Sequence, residues 1–175
     1  MLKLNYIKNI LKVSSILLIL FQLSCVQYKK RENIIVASAG KIESLDPAQA
    51  NTLRTLQILS ALGDTLYKTN KEGNLSPKLA KDLPKVSKDG LLIDIPLRED
   101  IYFHDGSPFN AKAMVFSLNR FIKIGTLNYL LSEKIDNIEV KDEFLLRIKL
   151  KKPSSSIKSL LTSINLTPVS PNSYS

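Results

Sequence analysis

The chain has a single cysteine, Cys25, at the end of a leader that is first basic and then apolar. No disulfide can form within the chain, so whatever folds must be held by an apolar core. The leader accounts for the position of that cysteine. Lys3, Lys8 and Lys12 give a positive start with no acidic residue, residues 13–23 form a short greasy run, and the small Ser24 precedes Cys25. This is the order of an export signal, residues 1–24, removed at a small-residue site. An uncleaved membrane anchor is the weaker reading. A spanning helix needs about 20 apolar residues, and Lys12 stops the run from extending backwards.

A cysteine at the cut predicts an attached lipid, with residues 25–33 as a polar tether. Gln22 departs from the aliphatic residue usual three positions before such a cysteine. The competing reading is a leftover thiol behind an ordinary signal. The expected location is exported: the periplasmic or cell-surface face of the cytoplasmic membrane, lipid-anchored. With 24 of the 175 residues removed, 151 remain. That is enough for one domain with a real core.

The chain carries a formal charge of +9. Three of its 25 basic groups leave with the leader, so 22 face 16 acidic groups, net +6. A basic excess fits nucleic acid or nearness to anionic lipid. The lysines are scattered (Lys78, Lys81, Lys85, Lys88, Lys141, Lys149, Lys151 and Lys152), with no arginine block and no interleaved aromatic stripe. They read as a solvated surface, and an exported protein does not meet nucleic acid.

Hydrophobic periodicity lays out the body. Residues 34–37 are a β-branched strand candidate, and residues 38–47 a loop. Leucines 53, 56, 59, 62 and 66 predict one greasy helical stripe over residues 51–66. Residues 70–76 read as turn-rich, and residues 77–83 as one short helical turn. After the turn at residues 88–90, Leu91, Ile93, Ile95 and Leu97 share one face of a strand. Pro96 argues for an edge strand or a bulge near its end. Asp105-Gly106 makes a tight turn. Asn110 caps a helix whose stripe is Ala111, Val115, Leu118 and Ile122, with Met114 beside it. Ile138 and Val140, then Phe144, Leu146, Ile148 and Leu150, predict a hairpin around a turn at Asp142-Glu143. Residues 154–161 predict a last helix, and residues 167–175 a tail without a capping element.

The chain is poor in chemistry. A triad or a metal site would have to use the one histidine, His104, and its place beside Asp105 reads as turn-flanking. Glu99-Asp100 and Asp142-Glu143 are adjacent carboxylates at turns, not a spaced acid–base pair. No glycine loop cradles phosphate. The expectation is a protein that is not an enzyme and needs no cofactor.

Motif order adds a resemblance. LREDIYFHDGSPFNAKAMVFSLNRF (residues 97–121) resembles the signature of the family 5 extracellular solute-binding proteins, the oligopeptide, dipeptide and nickel-binding components of ABC importers. SLDPA (residues 44–48) and NLSPKLAKDLPKVSKDGLLIDIPLR resemble the family's preceding segments. IDNIEVKDEFLLRIKLKKPSSSI (residues 135–157) resembles its next hairpin. Ala113 stands where many members carry an aspartate, and the tryptophan common near residues 83–84 is absent.

The resemblance implies a mixed α/β fold: part of the first lobe, with its small subdomain, of a periplasmic-binding-protein-like two-lobed fold. The second lobe is expected to be absent. It implies capture of a peptide or similar small solute, with Ala50, Asn51, Thr52 and Leu53 as ligand neighbours; the plain alternative is that these residues only start a helix. The implied partners are the solute, the permease subunits of the transporter, the membrane through the lipid, and a separate chain carrying the missing lobe. The competing function is a lipoprotein remnant that binds nothing, or a surface interaction module.

Overall fold

A computed structural model describes residues 42–174. The leader, Cys25, the tether and the strand candidate at residues 34–37 lie outside the described residues.

Asp46 opens the described body by accepting a hydrogen bond from the Ala48 amide at 3.0 Å, which caps a 3₁₀ turn at Pro47–Gln49. Thr52 caps the next helix in the same way. Its hydroxyl accepts from the Thr55 amide, and α1 runs Leu53–Leu62 to Gly63. The expected single stripe does not form on α1. Leu59 is buried, but Leu53 and Leu62 are 73% and 51% exposed. The cause is geometric: each three-residue step falls about 60° short of a full turn, so leucines spaced only by three wind around the helix.

Strands β1 (Tyr67–Thr69) and β2 (Leu75–Pro77) pair antiparallel. Their turn is tied by the Asn70 carboxamide oxygen, which accepts from the Glu72 and Asn74 amides, and Gly73 takes φ 82°. Residues 77–83 are not a helical turn. The amides of Lys78 and Ala80 donate to the Leu66 carbonyl, that of Leu79 donates to Thr65, and Ala80 bridges to Leu97. Long-range pairing takes the donors that a local helix would need, and it buries Leu79 and Ala80.

The main sheet holds β3 (Lys85–Val86), β4 (Leu92–Pro96), β5 (Ile135–Asp142) and β6 (Leu145–Leu150) in the order β3-β4-β6-β5, all neighbours antiparallel. Ile93 faces Ile148, and Ile95 faces Leu146. Both pairs are almost fully buried, as period two requires. Strand β4 is interior, not an edge, and its pairing with β6 shows no register shift. Pro96 is tolerated because the Leu97 amide and the Leu91 carbonyl point at β6, so the Pro96 nitrogen faces the side where β3 no longer extends. The β5–β6 turn is Glu143-Phe144, one residue later than expected, since Asp142 still pairs with Leu145.

Helix α2 (Ala111–Ile124) lies against this sheet, and Asn110 caps it by accepting from the Ala113 amide at 3.1 Å. Ala111, Met114, Leu118 and Phe121 are buried; Val115 and Ile122 flank them, half-buried. Two short helices follow, α3 (Tyr129–Ser132) and α4 (Ile157–Leu160); the last helix expected at residues 154–161 shrinks to α4. The segment from residue 167 is not a loose tail. A 3₁₀ turn at Ile164–Leu166 leads into it, α5 (Pro171–Tyr174) follows, and Thr167 and Ser170 are buried.

Candidate functional site

Residues 44–53 are held from far along the chain. Asp46 binds Arg120 through both guanidinium nitrogens, at 2.7 and 2.5 Å, and these side chains are 13% and 16% exposed. Those hydrogen bonds hold the Asp46 carboxyl below its ordinary value, against the opposing effect of burial. The Arg120 guanidinium also lies 4.3 Å from the centre of the Tyr174 ring. Asn165 donates from one side-chain nitrogen to the carbonyls of Pro47 (3.1 Å) and Ala50 (2.7 Å). The Thr126 amide donates to the Ala48 carbonyl. Thus α2 holds the Asp46 carboxylate, while the backbone carbonyls of residues 47–50 are taken up by Thr126 in the α2–α3 loop and by Asn165.

This anchoring decides what residues 50–53 can offer a ligand. The Ala50 side chain is 1% exposed, and its carbonyl is occupied by Asn165. Asn51 is exposed, Thr52 is half-buried and used as a cap, and Leu53 stands out at 73% exposed. The four are consecutive on one short stretch, but only Asn51 and Leu53 present open side chains.

A cleft of about 470 Å³ opens nearby between the end of α1, the turn at residues 101–109 and residues 167–174. Its walls are mainly apolar, including Leu45, Leu59, Ile101, Phe103 and Val169. At its edge Asp105 accepts from the hydroxyls of Ser107 and Ser170, both at 2.5 Å. Those bonds, Ser107 first, lower the Asp105 carboxyl to about 2. The Val169 amide donates to the Ser117 hydroxyl at 3.0 Å. The Thr167 hydroxyl, buried beside this cleft, has no hydrogen-bond partner among the described residues. His104 is exposed on the cleft rim. Among the described residues no group of three or more histidine, cysteine or acidic side chains could hold a metal ion.

The sequence names residues 50–53 as candidate ligand neighbours and carries no sign of what holds them. Asp46 and Arg120 are 74 residues apart, and no periodicity links them. The available signal was that both lie inside the quoted motif segments SLDPA and SLNRF. Asn165 carried no signal at all.

The family model described as bacterial extracellular solute-binding proteins, family 5 Middle, matches residues 74–175, and the chain belongs to that family. Glutathione-binding protein GsiB of Escherichia coli O6:K15:H31 is 32% identical over 142 residues, 80% of this chain and 28% of that protein. GsiB of Pectobacterium atrosepticum is 32% identical over 127 residues, 71% of this chain and 24% of its own. Among solved structures, Listeria monocytogenes OppA bound to peptide superimposes with a TM-score of 0.71 at 26% identity, covering 77% of this chain and 30% of that one. An ABC transporter substrate-binding protein from Sinorhizobium meliloti gives a TM-score of 0.66 at 28% identity, over 74% and 27% of the two chains. The fold is therefore that of periplasmic-binding-protein-like family members. The chain spans about 28% of the length of the GsiB it matches.

Proposed function

We propose that this chain supplies part of the first lobe of an ABC importer's substrate-binding component, and that the solute captured is a peptide or similar small molecule. It performs no chemistry. It works outside the cytoplasmic membrane, held there by a lipid on Cys25, and hands its solute to the permease subunits. The opposing lobe lies in the length of the relatives that this chain does not span, whether in one polypeptide or in a second.

One observation carries the proposal. Leu53 is left 73% exposed on a ledge whose base, Ala50, is buried and fixed by Asn165. A flexible loop can fold an exposed leucine away; this ledge cannot. An isolated exposed leucine is ordinary on a protein surface; this one supports the reading because it stands on the anchored segment that follows the SLDPA motif. With Asn51 beside it, the ledge offers one apolar and one amide group to a ligand, and Thr52 holds the start of α1 in place. Ligand sites of this class bury about 70–90% of the ligand, so a single ledge is one wall and needs another.

A short peptide carrying a photoreactive diazirine tests this directly on the full chain. Cross-links are expected to map by mass spectrometry to residues 51–53 and to fall sharply in Leu53→Ser. Cross-links scattered over the surface, or unchanged by Leu53→Ser, would favour the remnant that binds nothing.

A further inference from the structure

The two ends of the main sheet differ in charge. At one end the β4 strand begins, β6 ends and β5 begins. The Leu150 amide donates to Leu91 and the Lys151 amide to Lys134, which sets these segments side by side. Gly90 lies against Pro153, whose Cβ would stand 3.1 Å from an added Cβ. The turn at residues 88–90, the end of β6 and α4 therefore meet at one place. They bring together Lys88, Lys134, Lys149, Lys151, Lys152 and Lys158; Lys134 is half-buried and the other five are exposed. The acidic groups there are Asp89, Glu133 and Asp136. Asp136 is paired with Lys149 at 3.0 Å, and Asp89 accepts from Ser87 and the Leu91 amide. The opposite end of the sheet, past Leu97 and at the β5–β6 turn, carries Glu99, Asp100, Asp142 and Glu143 together with Lys81, Arg98 and Lys141, and Lys81 pairs with Glu99 and Arg98 with Asp100. Lysines that look scattered along the sequence are gathered by the topology.

The basic end is not purely polar. A depression of about 290 Å³ sits in it, and its lining includes Val86, Pro153, Ile157 and Lys158 with Ser154 and Ser155 between them. Val86 is 42% exposed. Apolar side chains ringed by flexible lysines match a boundary where anionic headgroups meet hydrocarbon.

We propose that this end of the sheet docks on an anionic lipid bilayer, with Lys88, Lys151, Lys152 and Lys158 among the headgroups and Val86 and Pro153 at the apolar boundary. Each lysine near such a surface strengthens attachment, and the attraction fades within a Debye length. Docking would turn the β5–β6 turn, where the charges are mixed, away from the membrane. The idea depends on the reading of Cys25 only for bringing the body near a bilayer in the cell. The surface itself can be tested without that lipid.

The test is partition of the full, unlipidated chain onto phosphatidylcholine vesicles with and without phosphatidylglycerol, at low salt. K151Q/K152Q/K158Q is expected to weaken partition onto the anionic vesicles by about tenfold or more. K68Q/K71Q/K112Q removes the same charge from exposed sites outside this cluster, and should stay within about twofold of the unaltered chain. Because both variants keep the leader, its own lipid affinity cancels. Equal losses in the two variants would mean that net charge alone acts, and no loss in the first would mean that this end stays in solvent; either result overturns the proposal. Neither result bears on solute capture at residues 51–53.

Discussion

The sheet with α2, and the layer formed by residues 44–53 and 164–174, are stabilised by different means. In the sheet, Ile93, Ile95, Leu146 and Ile148 close on Met114, Leu118 and Phe121, and the contribution comes from apolar area removed from water. In the layer, side chains saturate carboxylate, backbone and hydroxyl groups: Arg120 on Asp46, Asn165 on Pro47 and Ala50, Asp105 on Ser107 and Ser170. Apolar burial is non-directional, whereas hydrogen bonds fix distance and angle. The ledge at residues 50–53 sits on the second kind of support, so its position is set sharply while its total stabilisation is modest.

Four changes would break or sharpen that contrast. The largest effect is expected from Leu146→Ala, a fully buried side chain between Ile95 and Val140. It should cost about 2–5 kcal/mol in denaturant unfolding, with loss of both regions together. A cost under about 1 kcal/mol would mean that the sheet is not the main core.

Asp46→Ala should cost about 2–3 kcal/mol, because Arg120 loses a charged partner at a mostly buried site. Hydrogen exchange should speed up at residues 46–50 and 164–170 while β6 amides stay protected. If β6 opens equally, the two regions are one cooperative unit and the contrast fails.

Gly63→Ala should cost about 1–3 kcal/mol by overpacking. The new Cβ would stand 2.6 Å from the Thr167 Cγ2. Thr167→Ser, which deletes that methyl, should restore most of the loss in the double variant. No rescue would place the cost elsewhere.

The smallest effect is acid loosening of residues 167–173. Asp105 titrates near 2, below its ordinary 3.8. A depressed carboxyl contributes its stabilisation fully above the unfolded value and loses it as pH falls towards the folded one. Val169 and Ser170 amides should therefore exchange faster, beyond the intrinsic pH effect, between about pH 4 and pH 2. Asp105→Asn should abolish that step. A step that persists in Asp105→Asn would assign it to another carboxylate.

Legibility follows the same division. Period-two runs marked β4 and β6, and the Asn110 cap with its stripe marked α2, because those signals are local and the burial they imply is local too. The turn was one residue off, since a period-two run fixes a face but not the residue at which pairing ends. Residues 77–83 were misread because their amides answer carbonyls at Thr65 and Leu66. Residues 167–174 look like a plain polar tail in the sequence, yet Ser170 donates to Asp105 and the Val169 backbone bonds the Ser117 hydroxyl. Leu53 and Leu62 looked like core in the sequence and are open in the fold. For the candidate site, motif order nominates residues 50–53, while the contacts that anchor them arise only in three dimensions.

The most direct measurement is calorimetric titration of short peptides into the full chain alone, and into the chain mixed with a polypeptide carrying the remaining length of the relatives. If the ledge is one wall of a two-walled site, tight binding appears only in the mixture and weakens on Leu53→Ser. Micromolar or tighter binding by this chain alone, or none in the mixture, would contradict the account.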